Sequence, residues 1–277
     1  MKTLIIGCGY LGQSLALRRQ AEGDEITAWV HSAASAEALA AHRFLRVIVG
    51  SVADETLWAG LPKFDRVAHC ASSGGRGVDA YREVFVAGAR LMAERQAGAR
   101  RVLVSSTSVY GQTSGEIVTE ESPATPAVET GRVLREAEEI ALAAGMVVVR
   151  STGIYGPDRG ALLERLKKGE AVIEGDGLRW INQIHRDDLA GAVAHLLEVG
   201  EAGRIYNASD DEPVTPLDYY RWCSAFLGVP MPPFGPVNLA RKRGATNKRV
   251  SNVKLRGTGW TPRFRNFREG IAGLSKS

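Results

Sequence analysis

The chain is poor in the features that several protein classes require. Its 277 residues hold three cysteines, Cys8, Cys70 and Cys223. They are an odd set without metal-ligand spacing, which fits the reduced thiols of a cytoplasmic protein. No apolar run approaches the roughly 20 residues needed to cross a bilayer, so no membrane partner is expected. The apolar start is short and soon meets glycines and charges, so it reads as a strand and not as a leader. Repeats, low-complexity linkers and coiled-coil patterning are missing too. A metal site from His185, Asp187 and Asp188 has no further ligand cluster near it in sequence, and no metal is expected. Acidic residues are scarce at the C-terminal end: eleven basic residues from Arg241 to Lys276 face Glu269 alone. Such a tail suits an anionic ligand. No nucleic-acid-binding motif accompanies it, and nucleic acid is not an expected partner.

What is present begins at the first residues. An apolar, β-branched run over 2–6 leads into Gly7-Cys8-Gly9-Tyr10-Leu11-Gly12, and a helix-compatible stretch over 13–20 follows. Strand, glycines and helix in that order give a Gly-x-Gly-x-x-Gly its meaning. Gly7 permits a tight turn, Gly9 lets backbone approach a pyrophosphate, and Gly12 lets helix and strand pack closely. Phosphates then sit on the free N–H groups of a helix N-terminus, where the dipole favours negative charge. Residues 1–20 are therefore expected to bind the diphosphate of a dinucleotide, with Cys8 a small apolar neighbour.

A second strand over 25–30 ends at Val30-His31-Ser32. An acidic residue at that place, about 20 residues past the glycines, would hold the ribose 2′-OH of NAD. Here no carboxylate stands ready to repel a 2′-phosphate, and His31 and Ser32 can donate to one. NADP is favoured over NAD, and the nearest arginine in sequence is Arg43. Further strands are expected over 44–49, 65–69, 101–105, 146–150 and 203–209, with helices over 79–98, 130–144 and beyond 188. This alternation demands an α/β fold with a doubly wound parallel sheet. The stretch 112–128 reads as a loop and 151–157 as a turn leading to a helix. Thr215 caps a helix over 216–227, 230–236 is extended, and two short helices flank 257–262. Small residues after the fourth strand, Cys70 to Gly75, suit a cofactor passing over the sheet edge. The hydroxyl cluster Ser105-Ser106-Thr107-Ser108 can polarise a substrate oxygen or simply cap strand-end backbone.

By these residues the chain resembles the extended short-chain dehydrogenase/reductases, the NAD(P)-dependent epimerases and dehydratases that act largely on nucleotide sugars. The likeness rests on Ser105-Ser-Thr-Ser-Val-Tyr-Gly111, Arg150-Ser-Thr-Gly-Ile-Tyr-Gly-Pro157, Ile184-His-Arg-Asp-Asp-Leu-Ala190, Tyr206-Asn-Ala-Ser209, Asn247-Lys-Arg-Val-Ser-Asn252 and Gly259-Trp-Thr-Pro262. It implies a Rossmann-type domain over 1–155, to which 180–207 return, and a smaller α/β lobe from 156–179 and 208–277, with substrate between them. Ser51 and Val52 would lie near the adenine, His69, Ala71 and Ser72 on the path to the nicotinamide, and Ile154 and Tyr155 at its pocket. Ser106 falls at the family's catalytic Ser/Thr position. Thr107, Trp180 and Arg249 complete the expected substrate contacts. The helices that hold Phe85 and Arg135 usually build a homodimer interface.

The chain also departs from the family. Its glycine loop is one residue shorter than the common Gly-x-x-Gly-x-x-Gly, Ser51 replaces the usual Asp, and Phe85 replaces an Asn. The catalytic Tyr and Lys align with Thr130 and Leu134. Tyrosine, with an ordinary pKa of about 10, can be brought towards neutrality by an adjacent cation; a threonine hydroxyl is far too weak an acid. Arg135 is one residue out of place, roughly 100° around the helix. Losing general acid–base help costs typically 10²–10⁴-fold. Two functions follow. One is an oxidoreductase or isomerase acting on a nucleotide sugar or another small anionic carbonyl or alcohol. In it Ser106 polarises the substrate oxygen and Tyr110 or Tyr155 supplies a proton. The other is a cofactor-binding sensor or regulatory protein without chemistry.

Overall fold

The computed structural model describes residues 1–42, 46–237 and 246–274. Seven strands form one sheet: β1 (Lys2–Ile6), β2 (Glu25–Val30), β3 (Arg46–Val49), β4 (Arg66–His69), β5 (Arg100–Ser106), β6 (Val147–Ser151) and β7 (Ile205–Ala208). Their spatial order is β3-β2-β1-β4-β5-β6-β7, parallel throughout. The fold is the α/β, Rossmann-type doubly wound sheet that the strand–helix alternation demanded. The order reverses between β1 and β4, so the crevice for a ligand opens at the carboxyl ends of those two strands.

The sheet is buried on both faces, and the period-two alternation of β1 shows why its run is apolar throughout. Ile5 joins the core beneath helices Tyr10–Ala21 and Arg186–Val199, with Leu15, Leu189 and Leu196. Leu4 and Ile6 point to the opposite core, with Trp29, Leu91, Met92 and Leu134. A third apolar cluster gathers residues from later in the chain, Tyr155, Leu163, Ile173, Tyr219, Phe267 and Ile271 among them. The cap expected at Thr215 is present: its Oγ1 accepts from the Asp218 amide at 3.1 Å, ahead of helix Pro216–Leu227.

Several stretches read as irregular in sequence pair with distant chain. Glu116–Val118 lies parallel to Lys248–Val250, and Gly153–Tyr155 lies parallel to Gln183–His185. Ile173–Glu174 takes Phe234–Gly235 as its partner. These pairs are two or three residues long, too short for a periodic signal. The long helix expected over 79–98 runs from Val78 to Arg95, with a π-helical stretch at Arg82–Ala87. The start of the third strand at Phe44, Arg43, and the basic residues Arg241, Lys242, Arg243 and Lys276 lie outside the described residues.

Candidate dinucleotide and substrate site

The glycine loop closes the end of β1 at the crevice. Gly7 turns with φ +78°, and a Cβ there would lie 2.2 Å from Ala71 Cα. Loop and β4 exit thus touch backbone to backbone, which fixes Ala71 beside the loop. A Cβ on Gly12 would meet the Gly7 carbonyl oxygen at 2.3 Å, so only glycine lets helix Tyr10–Ala21 sit this close to the strand. Gly9 differs: it is exposed, and its Cβ position has no atom within 4 Å. The Gly7 and Cys8 amides both donate to the Trp29 carbonyl at 2.9 Å, whereas the first helical bond is Gln13 N–H to Gly9 O at 2.8 Å. The amides of Tyr10, Leu11 and Gly12 precede that bond and have no intrahelical acceptor. Gly9 caps the helix with no side-chain bond, and the first turn holds no acidic residue. An open cradle, free N–H groups and a positive dipole end fit a diphosphate. Cys8 is buried, and burial pushes its thiol up to about 12, so it is a packing residue and not a thiolate.

At the end of β2, where the adenosine is expected, His31 and Ser32 are exposed, and Ser32 Oγ accepts from the Ser35 amide at 3.3 Å. The structure adds Arg76. Its guanidinium reaches within 3.5 Å of His31 Nε2 while donating to the Ser73 carbonyl at 3.0 Å. Arg76 comes from the loop after β4, 45 residues from His31, so no local pattern could have found it. Ser51 donates to Glu83 Oε1 at 2.5 Å. A carboxylate therefore stands where the family's Asp is missing, supplied by the π-helical stretch. Val52 is buried behind it, and Ser72 is exposed with its Oγ accepting from the Gly74 amide.

His69 corrects its expected role. The imidazole is fully buried, 3.0 Å from the Val84 carbonyl oxygen through Nε2. A carbonyl only accepts, so Nε2 carries the proton, and buried Nδ1 has no partner. The ring stacks on Phe85 at 6.1 Å, and burial holds its pKa down to about 4. It faces the helical layer, beside Val84 and Phe85.

Tyr110 is the second correction. Its side chain is 0 % exposed and donates to Asn207 Oδ1 at 2.9 Å, with the Arg150 guanidinium 4.8 Å from its ring. Burial raises its pKa. A phenol so held packs the core and cannot meet a substrate. Beside it, buried Glu138 accepts from Ser105 at 2.6 Å, Arg150 at 2.8 Å and Arg135 at 2.5 Å. Arg135 is thereby spent on an ion pair. Leu134 is 3 % exposed within the apolar core, and Thr130 is half-buried in the first helical turn. Tyr155 points its hydroxyl towards the Asn266 carbonyl at 3.4 Å, and burial raises its pKa as well. Ile154 beside it is half-buried against the first core.

Ser106 remains available. It is half-buried at the end of β5, and its Oγ accepts from the Ser108 amide at 3.1 Å. Its own proton is free to donate. Thr107 is buried and turned to the Ser151 carbonyl at 3.3 Å. Arg249 donates through Nε to the Gly115 carbonyl at 2.9 Å and stacks over half-buried Trp180 at 5.2 Å. The neighbouring Lys248 belongs in sequence to the basic tail. It is buried, bonds the Tyr110 carbonyl at 3.1 Å and Thr246 Oγ1 at 2.9 Å, and is lowered by burial to about 8. His185 and Asp188 are engaged elsewhere: His185 Nδ1 accepts from the Asp187 amide, and Asp188 accepts from the Arg263 and Phe264 amides.

Residues 3–209 match the family described as NAD dependent epimerase/dehydratase. The chain belongs to that family. Protein YeeZ of Escherichia coli K12 is 31% identical over 138 residues, 49% of this chain and 48% of that protein. The chain thus spans about half the length of the curated relatives it matches. A putative NAD-dependent epimerase/dehydratase from Methylobacillus flagellatus is 28% identical, with TM-score 0.79 over 99% of this chain and 97% of that one. A dTDP-glucose 4,6-dehydratase from Bacillus anthracis, solved with NAD, superposes with TM-score 0.83 over 100% and 96% of the two chains. At 19% identity it speaks for the fold alone.

Proposed function

We propose that this member of the family is an NADP-preferring oxidoreductase or isomerase acting on a nucleotide sugar or another small anionic carbonyl or alcohol. The observation that carries the reading is the open glycine cradle at Gly9 set beside Ala71, at the reversal of strand order. Gly7, Gly9, Leu11 and Gly12 would hold the diphosphate, and Ser51 with Glu83 would accept from the adenine amine. His31, Ser32 and Arg76 present donors and a cation where NAD-binding relatives carry an acid, which supports a 2′-phosphate. When bound, a pyridine nucleotide supplies hydride transfer. Ser106 donates a hydrogen bond to the substrate oxygen, and Arg249 on Trp180 offers its outer guanidinium nitrogens to an anionic group. The long helix from Val78 to Arg95, which holds Phe85, and helix Glu129–Ala143, which holds Arg135, would serve a homodimer.

A second reading stays in play because Tyr110 and Leu134 are locked into the core and Thr130 is no acid. In that reading the protein binds NADP and reports its presence without turning it over. One experiment separates the two. Purified protein is titrated with NADPH and NADH by fluorescence, then assayed for turnover on sugar nucleotides and small carbonyls. Saturable binding, tighter for NADPH, is expected. Turnover that Ser106→Ala lowers supports the enzyme. Binding with ligand-dependent association and no turnover supports the sensor, and absence of binding at millimolar nucleotide ends both.

A further inference from the structure

The shortened glycine loop carries an addition that its own sequence does not show. Tyr10 opens the helix, and its hydroxyl donates to the Pro157 carbonyl at 2.9 Å. That bond pins the turn at 156–159 onto the loop from 147 residues away. The turn is shaped for this. Gly156 has φ +152°, and a Cβ on it would lie 2.8 Å from the Tyr10 hydroxyl. Gly156 and Arg159 close the turn with backbone bonds in both directions, at 2.8 and 3.1 Å. Asp158 takes a left-handed φ of 58° within it, a conformation that Asp tolerates better than most non-glycine residues.

This packing places two guanidiniums on the loop. Arg159, from the turn, and Arg186, from the first turn of helix Arg186–Val199, each lie 5.0 Å from the centre of the Tyr10 ring. Arg186 shares its charge with Asp187, whose Oδ1 it meets at 2.9 Å and to which Ser14 also donates. Arg159 is exposed and forms no ion pair among the described residues. An unpaired cation held by stacking beside an uncapped helix N-terminus is arranged for an anion of more than one charge.

Resting on the cofactor reading above, we propose that Arg159, seconded by Arg186 and positioned by Tyr10, clamps the diphosphate of the bound dinucleotide from the side opposite the loop amides. The 156–159 turn is then part of the cofactor site.

The test is calorimetric titration of wild type, Arg159→Ala and Arg159→Ala/Arg186→Gln with NADPH, ADP-ribose and 2′-AMP at two salt concentrations. ADP-ribose keeps the diphosphate and lacks the 2′-phosphate; 2′-AMP has the reverse. Arg159→Ala is expected to weaken NADPH and ADP-ribose about tenfold, as loss of one charge-assisted contact does, to flatten their salt dependence, and to leave 2′-AMP unchanged. Arg76→Glu serves as the converse control, weakening NADPH and 2′-AMP and sparing ADP-ribose. If wild type binds ADP-ribose and Arg159→Ala binds it equally well with the same salt dependence, the clamp is wrong and the cofactor reading survives. If wild type binds none of the three, the cofactor reading itself is wrong. Arg159 is exposed and unpaired, so that variant folds and decides the matter even should the double variant fail to.

Discussion

The glycine loop after β1 and the Ser106–Tyr110 turn after β5 sit at strand ends of one sheet with β4 between them, yet they are built differently. At the loop, function lies in backbone: two glycines pack where no Cβ fits and a third stands open. At the turn and on helix Glu129–Ala143 beside it, function would lie in side chains, and most of these are packed or paired while Ser106 stays half-buried. Tyr110 bonds Asn207, Leu134 is 3 % exposed, and Arg135 is bound to Glu138. Binding geometry made of amides survives substitution of side chains around it, because every residue supplies the same N–H. Acid–base chemistry depends on one group with one pKa, and replacing that group removes it outright. The difference teaches that a cradle built of backbone tolerates side-chain change more readily than an acid–base pair built of side chains.

The contrast can be broken most forcefully on helix Glu129–Ala143. Restoring the family's lysine by Leu134→Lys should not restore chemistry, because it buries an unpaired ammonium in the apolar core. A loss of about 4 kcal/mol in urea unfolding is expected. A stable variant with gained turnover would show that the site is only one residue from the family mechanism.

The loop gives the next largest effect, and it divides the three glycines. Gly7→Ala forces a Cβ into Ala71 at a positive φ and should cost about 3 kcal/mol, read as a lowered melting temperature. Gly9→Val meets open space and should leave the melting temperature within a few degrees, while NADPH affinity falls beyond detection. Equal behaviour of the two variants would erase the distinction between packing glycine and binding glycine.

His69 sharpens the comparison through pH. Burial lowers its pKa from 6.5 in the unfolded chain to about 4 in the fold. The folded state therefore binds fewer protons across that window, and stability is lost as pH falls from 6.5 towards 4, by up to about 3 kcal/mol. Asp210 acts with the opposite sign: burial raises its carboxyl from 3.8 to about 8, so its contribution declines as pH rises between those values. Urea unfolding of wild type and His69→Gln from pH 4 to 8 isolates the histidine, since Asp210 is common to both. A parallel pair of curves would mean that the ring is solvated and belongs to the cleft after all.

The local order of residues was enough for the frame. An apolar β-branched run, three glycines at set spacing, strand–helix alternation and the Thr215 cap each draw on contacts within a few residues, and each is present in the fold. That no acid follows β2, and that Thr130 and Leu134 stand where the resemblance expects Tyr and Lys, is likewise read in one dimension. Which side chains face the cleft was not legible there. His69 and Tyr110 carry the chemistry expected of a site, and only packing shows them turned inwards. Arg76, Glu83, Lys248 and Arg159 reach their places across 32 to 147 residues of chain, or by touching one that does. Sequence spacing encodes the period of a helix or strand, but the juxtaposition of distant side chains is set by how whole elements bury their apolar faces. That burial has no local signature.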